Sequence, residues 1–104
     1  MKKTVTYDDV LLVPRYSEIR SRKEIDISND LDDNIRLRVP IIASPMDTVS
    51  GFEMASLMSK MGGLSVIHRY MDVSEQARIV GDLKSETGAY VAAAIGTGKT
   101  NMTR

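Results

Sequence analysis

Apolar positions along the chain change their period twice. In the first third, short apolar pieces, VTYDDVLLVP and EIDIS, alternate with charged connectors such as RYSEIRSRK. This pattern predicts short extended segments rather than helices, and Pro14 ends the first of them. LRVPIIASPM follows as a nearly continuous apolar run, the pattern of a strand buried on both faces in a parallel sheet. Beyond Pro45 the period becomes helical: Phe52, Ala55, Leu57 or Met58, and Met61 recur at helical spacing until Gly62 and Gly63 stop them. LSVI at 64–67 reads as a second buried strand. Asp72, with Glu75 three residues on, forms a capping-box pattern before a second helix, whose apolar face is read at Val73, Ala77, Val80 and Leu83 or Lys84. Gly88 closes that helix, and AYVAAAI is a third strand.

The predicted architecture is an extended amino-terminal arm over residues 1–38, then β-α-β-α-β over residues 39–104, with strands about 25 residues apart. Alternating strands and helices imply right-handed βαβ units and a parallel sheet. Ligands of such sheets bind beyond the carboxyl ends of the strands. Those ends are Ser44-Pro45-Met46-Asp47, His68-Arg69-Tyr70 and Gly96-Thr97-Gly98, all polar or glycine-rich after apolar strands. A complete (β/α)8 barrel needs roughly 200–250 residues, so three strands cannot close one. Either the chain is the first portion of a larger barrel, or it is a small open sheet whose edges need a partner.

Composition narrows the chemistry. Fourteen Lys plus Arg balance fourteen Asp plus Glu in 104 residues, so no global field points to nucleic acid or an anionic membrane surface. There is no cysteine, which excludes disulfides, thiolate metal sites and a cysteine nucleophile supplied by this chain. With a single histidine, His68, and no Asp-rich calcium loop, no metal site is expected. No apolar run approaches the ~18 residues of a membrane span. MKKTVTYDD lacks the apolar stretch of a secretory signal, so the expected location is cytoplasmic.

ASPMDTV, at the end of the first strand, is the richest candidate site. Ser44 can donate to a phosphate or ribose oxygen, Met46 offers a soft apolar face to a purine, and Asp47 can fix the loop or hold a polar ligand group. Alternatively Ser44 and Asp47 cap the following helix while Met46 packs in the core, and local spacing alone favours this second account. His68 and Arg69 can contact a dinucleotide phosphate or ribose, or His68 can be a satisfied structural residue. No partner carboxylate for His68 is identifiable, so no triad is assigned. GTGKT at 96–100 is not a phosphate loop: that pattern requires glycine where Ala93 stands and a helix after Thr100. A glycine turn at Gly96 and Gly98 still lets main-chain N–H groups approach a ligand. Arg15, Arg20, Arg22 and Lys23, interleaved with Glu18 and Glu24, read as a solvated connector.

TYDDVLLVPRYSEIRSRKEIDIS, VPIIASPMDTV, EMA, GGLSVIHRYM and SEQA occur in the order seen near the amino terminus of IMP dehydrogenases and GMP reductases. The resemblance runs from Thr4 to Gly98, and several motifs in register are far more specific than any one. It implies a (β/α)8 barrel that binds a purine nucleotide, GMP or IMP, and a nicotinamide dinucleotide, NADPH or NAD, at its carboxyl face. Ser44 and Met46 resemble the nucleotide-contacting serine and base-stacking methionine of the first βα loop. His68 and Arg69 resemble the His-Lys or His-Arg pair near the cofactor, to which the Gly96–Gly98 turn is added. The family's chemistry uses a cysteine thiolate that attacks the purine at C2. That cysteine lies beyond the third strand, so the 104 residues alone are expected to be inactive. The resemblance also implies a homotetramer.

Two features bear on the branch. IMP dehydrogenases usually carry a pair of CBS domains after the second strand's helix, whereas DLKSETGAYVAAAIGTG here runs straight from helix to strand. That, the short amino terminus, SRKEID and GFEMA resemble GMP reductase, while ASPMDTV and GGLSVIH resemble the dehydrogenase. The reductase is slightly favoured. A CBS-less IMP dehydrogenase and a non-catalytic module that assembles with a separate remainder stay open.

Overall fold

The computed structural model describes residues 2–98. The arm is extended but mostly unpaired, with two single-turn 3-10 helices at Tyr7–Asp9 and Arg22–Glu24. Asp9 Oδ2 accepts from the main-chain N–H and the hydroxyl of Thr6, at 2.8 and 3.1 Å, which folds the first of these turns. Neither VTYDDVLLVP nor EIDIS forms a strand. The arm's pairing lies just downstream, where β1 (Asn29–Asp32) and β2 (Ile35–Leu37) make an antiparallel hairpin. Asp32 Oδ1 accepts from the N–H groups of Asn34 and Ile35 at 2.7 and 2.9 Å, an Asx-type turn that reverses the chain.

The rest is a three-stranded parallel sheet in the order β3 (Ile42–Ala43), β4 (Leu64–Ile67), β5 (Ala92–Ala93), with α1 (Phe52–Met61) and α2 (Val73–Thr87) as the crossovers. The fold class is therefore α/β with a parallel sheet. β3 is much shorter than its apolar run. Pro40 has no N–H to give, and the Ile41 N–H turns back to the Val39 carbonyl at 2.8 Å, so ladder pairing starts only at Ile42↔Leu64.

Helix α1 ends where the glycine pair predicts. Gly62 adopts φ +90°, its N–H donates to Ser59 O at 3.0 Å, and the Gly63 N–H donates to Met58 O at 2.9 Å, a Schellman closure. A side chain at Gly62 would stand 2.7 Å from Arg38 Nε and 2.8 Å from its Cβ. Asp72 is the N-cap of α2, but its side chain makes no capping bond, so the capping box does not form. The buried face of α2 is also turned from the predicted one: Gln76, Ile79 and Leu83 are buried, while Val73 and Ala77 are exposed. The core is the resulting cluster of Ala55, Ile67, Ile79 and Leu83, with Phe52, Met71, Val80 and Val91 against it. Across the helix seam Glu86 accepts from Lys60 Nζ and Ser56 Oγ, at 2.7 and 3.0 Å. Among the described residues no helix is long and apolar enough to cross a membrane.

Candidate functional site

Parallel pairing in sequential order brings the carboxyl ends of β3, β4 and β5 to one edge of the sheet. Two buried polar residues tie these ends together, Ser50 through its main chain and Gln76 through its side chain. Ser50, fully buried, accepts at Oγ from the Met46 N–H at 2.9 Å and donates to the Met46 carbonyl at 3.1 Å. Its own carbonyl accepts from the His68 N–H at 3.4 Å, joining the first loop to the end of β4. Gln76, 4% exposed, donates from Nε2 to the carbonyls of His68 and Ala94, at 3.1 and 3.0 Å, joining β4 to β5. Sequence reasoning singled out neither residue. The available signal was Gln76 itself, a polar residue in register with Ile79 and Leu83 on the buried face of α2.

On this frame the first loop projects outward. Ser44 is exposed, and Met46 is 51% exposed, so it is not packed in the core. The cap of α1 is Gly51, without a side-chain bond, and Asp47 Oδ1 accepts from the adjacent Thr48 N–H at 2.9 Å. Neither Ser44 nor Asp47 caps the helix, which leaves the loop's polar and soft apolar groups directed to solvent at the strand ends.

His68 is 8% exposed, and its Nδ1 accepts from the Tyr70 N–H at 3.3 Å. In the neutral imidazole that bond places the remaining proton on Nε2, the other side of the ring. The Tyr70 ring stacks on it with centroids 6.2 Å apart. Arg69 is exposed beside it. At the third end Gly98 has φ +99°, a conformation that favours glycine, and nothing lies within 4 Å of the place a Cβ would take. Lys99 and Thr100 of the GTGKT segment lie outside the described residues. Among the described residues no three His, Asp or Glu side chains gather as metal ligands.

An open groove of about 540 Å³ lies beside the first loop, lined by Asp47, Val49, Phe52, Glu53, Met54 and Leu57. It follows α1 and includes neither His68 nor the Gly96 turn, so the strand ends, with the Ser44 hydroxyl, His68, Arg69 and the glycine turn on one sheet edge, are the candidate site.

The fold and this edge define an α/β protein of the kind that handles its ligand at the carboxyl ends of parallel strands. The chain belongs to the IMP dehydrogenase / GMP reductase domain family, which it matches over residues 4–104. It is similar to the inosine-5'-monophosphate dehydrogenase of Nitrosopumilus maritimus, 44% identical over 79 residues, which is 76% of this chain and 17% of that protein. It is similar to the GMP reductase of Leishmania donovani, 45% identical over 80 residues, 77% of this chain and 16% of that one. A crystal structure of GMP reductase from Trypanosoma brucei in complex with guanosine 5'-triphosphate superposes with a TM-score of 0.71 at 40% identity, covering 77% of this chain and 19% of that one. The chain thus spans less than a fifth of the length of these relatives.

Proposed function

We propose that this chain forms the first three strands of a (β/α)8 barrel that acts as a purine-nucleotide oxidoreductase, with GMP reduction by NADPH as the favoured reaction. The observation that carries this reading is the single sheet edge on which Ser50 and Gln76 hold three strand ends bearing Ser44 and Met46, His68 and Arg69, and Gly96 and Gly98. Ser44 and Met46 form the nucleotide wall: the hydroxyl donates to a phosphate or ribose oxygen, and the exposed thioether lies against the purine. His68, Arg69 and the glycine turn form the cofactor wall. They suit a dinucleotide, because the open main chain at Gly98 admits a diphosphate and Arg69 offers a forked cation. When bound, the dinucleotide supplies hydride chemistry. The residues of this chain bind and orient, and with no cysteine among them the nucleophile comes from the rest of the barrel. In this reading the assembled enzyme is a cytoplasmic homotetramer.

The reductase branch is supported by the junction of α2 and β5, where residues 88–91 connect the two with no inserted domain. ASPMDTV and GGLSVIH support the second reading, IMP oxidation with NAD by a CBS-less dehydrogenase. The test has two arms. The 104 residues alone turn over neither GMP nor IMP with either cofactor, and turnover by the purified chain overturns the assignment. Joined to the remaining strands, they consume GMP with NADPH, whereas NAD-dependent oxidation of IMP selects the second reading. In that assembled barrel Met46→Ala weakens nucleotide binding by about tenfold and cofactor binding by much less, as loss of one stacking face requires. Equal losses of both ligands would return Met46 to a packing role.

A further inference from the structure

We infer that Gln76 is a positioning residue for the cofactor half of the site, its buried amide setting how far the ends of β4 and β5 stand apart. The inference rests on the reading of the strand ends given above. β4 and β5 pair at Val66↔Ala92 and Ile67↔Ala93, and the last bond of the ladder runs from the Ala94 N–H to the Ile67 carbonyl at 2.9 Å. There the strands part. The His68 N–H turns away from β5 to the Ser50 carbonyl, and the chain on either side runs on into Arg69 and into Ile95 and Gly96.

A split between parallel strands leaves carbonyls that no neighbouring strand can satisfy, and buried carbonyls are rarely left unpaired. Gln76 Nε2 stands in this split, 3.1 Å from His68 O and 3.0 Å from Ala94 O, with Ile67 O at 3.5 Å. A primary amide has two N–H protons, so the two short bonds use both of them. One nitrogen therefore spans both strand ends, one residue before Arg69 and two before Gly96. An apolar side chain at this position would continue the buried face formed by Ile79 and Leu83, but it would leave the two carbonyls unpaired and their separation unset. The corresponding tie between the first loop and β4 is made by Ser50, through different atoms. The two halves of the site are thus set by separate residues, Ser50 through its main-chain carbonyl and Gln76 through its side-chain amide, and a change at Gln76 falls on the cofactor half.

The test uses the assembled barrel, this chain with the remaining strands, assayed with GMP and NADPH and with IMP and NAD. Gln76→Met keeps the bulk and removes both donors. It raises KM for the dinucleotide about tenfold, the loss of two neutral hydrogen bonds, and leaves KM for the purine nucleotide within about twofold. Gln76→Glu does the same near pH 8, where a carboxylate cannot donate, and recovers part of the dinucleotide KM as pH falls, because the protonated acid donates its one proton to one of the two carbonyls. The parent enzyme shows no such recovery. Equal rises in both KM values, no change in either, or a Gln76→Glu profile parallel to the parent's overturns the inference. Should Gln76→Met fail to fold, Gln76→Asn decides by the same split, since it keeps the donors on a side chain too short to span both carbonyls. A parent barrel that binds neither ligand removes the proposed function and this inference together. A parent that binds both, with variants that lose both equally, removes only this one.

Discussion

The arm and the parallel unit both carry long apolar side chains, but they treat them differently. In the arm Leu11 and Leu12 are 95% and 99% exposed, whereas Ile67 and Leu83 in the parallel unit are 0% and 1% exposed. The radius of gyration, 17.7 Å, exceeds the about 13 Å of a compact chain of this length, as an extended arm requires. Apolar residues form a core only where a second layer covers them, and α1 and α2 supply that layer most fully over the central strand β4. Ile41, Ile42 and Ile95, nearer the edges of the same sheet, stay exposed. The arm and the sheet edges are surfaces suited to contact with further structure.

The largest expected effect tests this contrast directly. In the 104-residue chain Ile67→Ala lowers stability by about 2–5 kcal/mol, the range for truncating a fully buried aliphatic side chain, while Leu12→Ala stays within about 0.5 kcal/mol. Urea denaturation followed by circular dichroism measures both. A loss at Leu12 that approaches the loss at Ile67 would mean that the arm is packed, and the two-region description would fail.

A smaller effect is expected at the seam. Gly62 combines φ +90° with a Cβ position 2.7 Å from Arg38 Nε, where the arm meets the parallel unit. Gly62→Ala costs about 1–2 kcal/mol for the left-handed backbone, with displacement of Arg38 in addition. Gly81, inside α2 with nothing within 4 Å of its Cβ position, makes the opposite prediction: Gly81→Ala stabilises by about 0.5–1 kcal/mol. Melting curves that order the variants Gly81→Ala, parent, Gly62→Ala from highest to lowest uphold both assignments. A neutral Gly62→Ala would show that the seam yields easily and that the arm is not anchored there.

What was legible in the sequence was local in origin. The period at Phe52, Ala55, Leu57 or Met58, and Met61, the Gly62–Gly63 stop, the apolar LSVI run and the Gly88 stop each depend on residues within a few positions, and each matches an observed element. The buried face of α2 was misread because Val73 and Ala77 are also apolar. Only the tertiary position of β4 and β5 decides that Gln76 and Ile79 face inward. Gln76 was missed for a related reason, since its amide bonds to main-chain groups brought close by strand order, and Ser50 because a hydroxyl closing a turn on Met46 leaves no apolar period to read. The hairpin was signalled by Asp32-Asp33-Asn34 before the alternating Ile35, Arg36 and Leu37, but its four-residue first strand is entirely exposed and so has no apolar pattern to read. The placement of Ser44, Met46, His68, Arg69, Gly96 and Gly98 at the strand ends was readable, whereas the frame that holds those ends was not.

The smallest expected effect asks whether the two regions unfold together. Each contains one carboxyl held below its ordinary value. Glu86, between the helices, lies below 4.5 chiefly through its hydrogen bond from Lys60 and then that from Ser56. Asp26, in the arm, lies below 3.8 chiefly through bonds from the Ser28 hydroxyl and main chain, with Arg36 adding its charge. A carboxyl whose folded value is depressed contributes stability that is present above its unfolded value and is lost as pH falls through its folded value. Both groups are at the surface, where solvent screens such contributions, so the expected changes are small shifts of slope. Glu86→Gln flattens the fall of the urea midpoint between pH 5 and pH 3, because it removes a group whose deprotonated form ties α1 to α2. Asp26→Asn leaves that fall unchanged, since its partners Ser28 and Arg36 both lie within residues 1–38. Equal flattening by the two substitutions would show that hairpin and parallel sheet melt as one cooperative unit, and the exposed arm would then have to be treated as part of the same folded body.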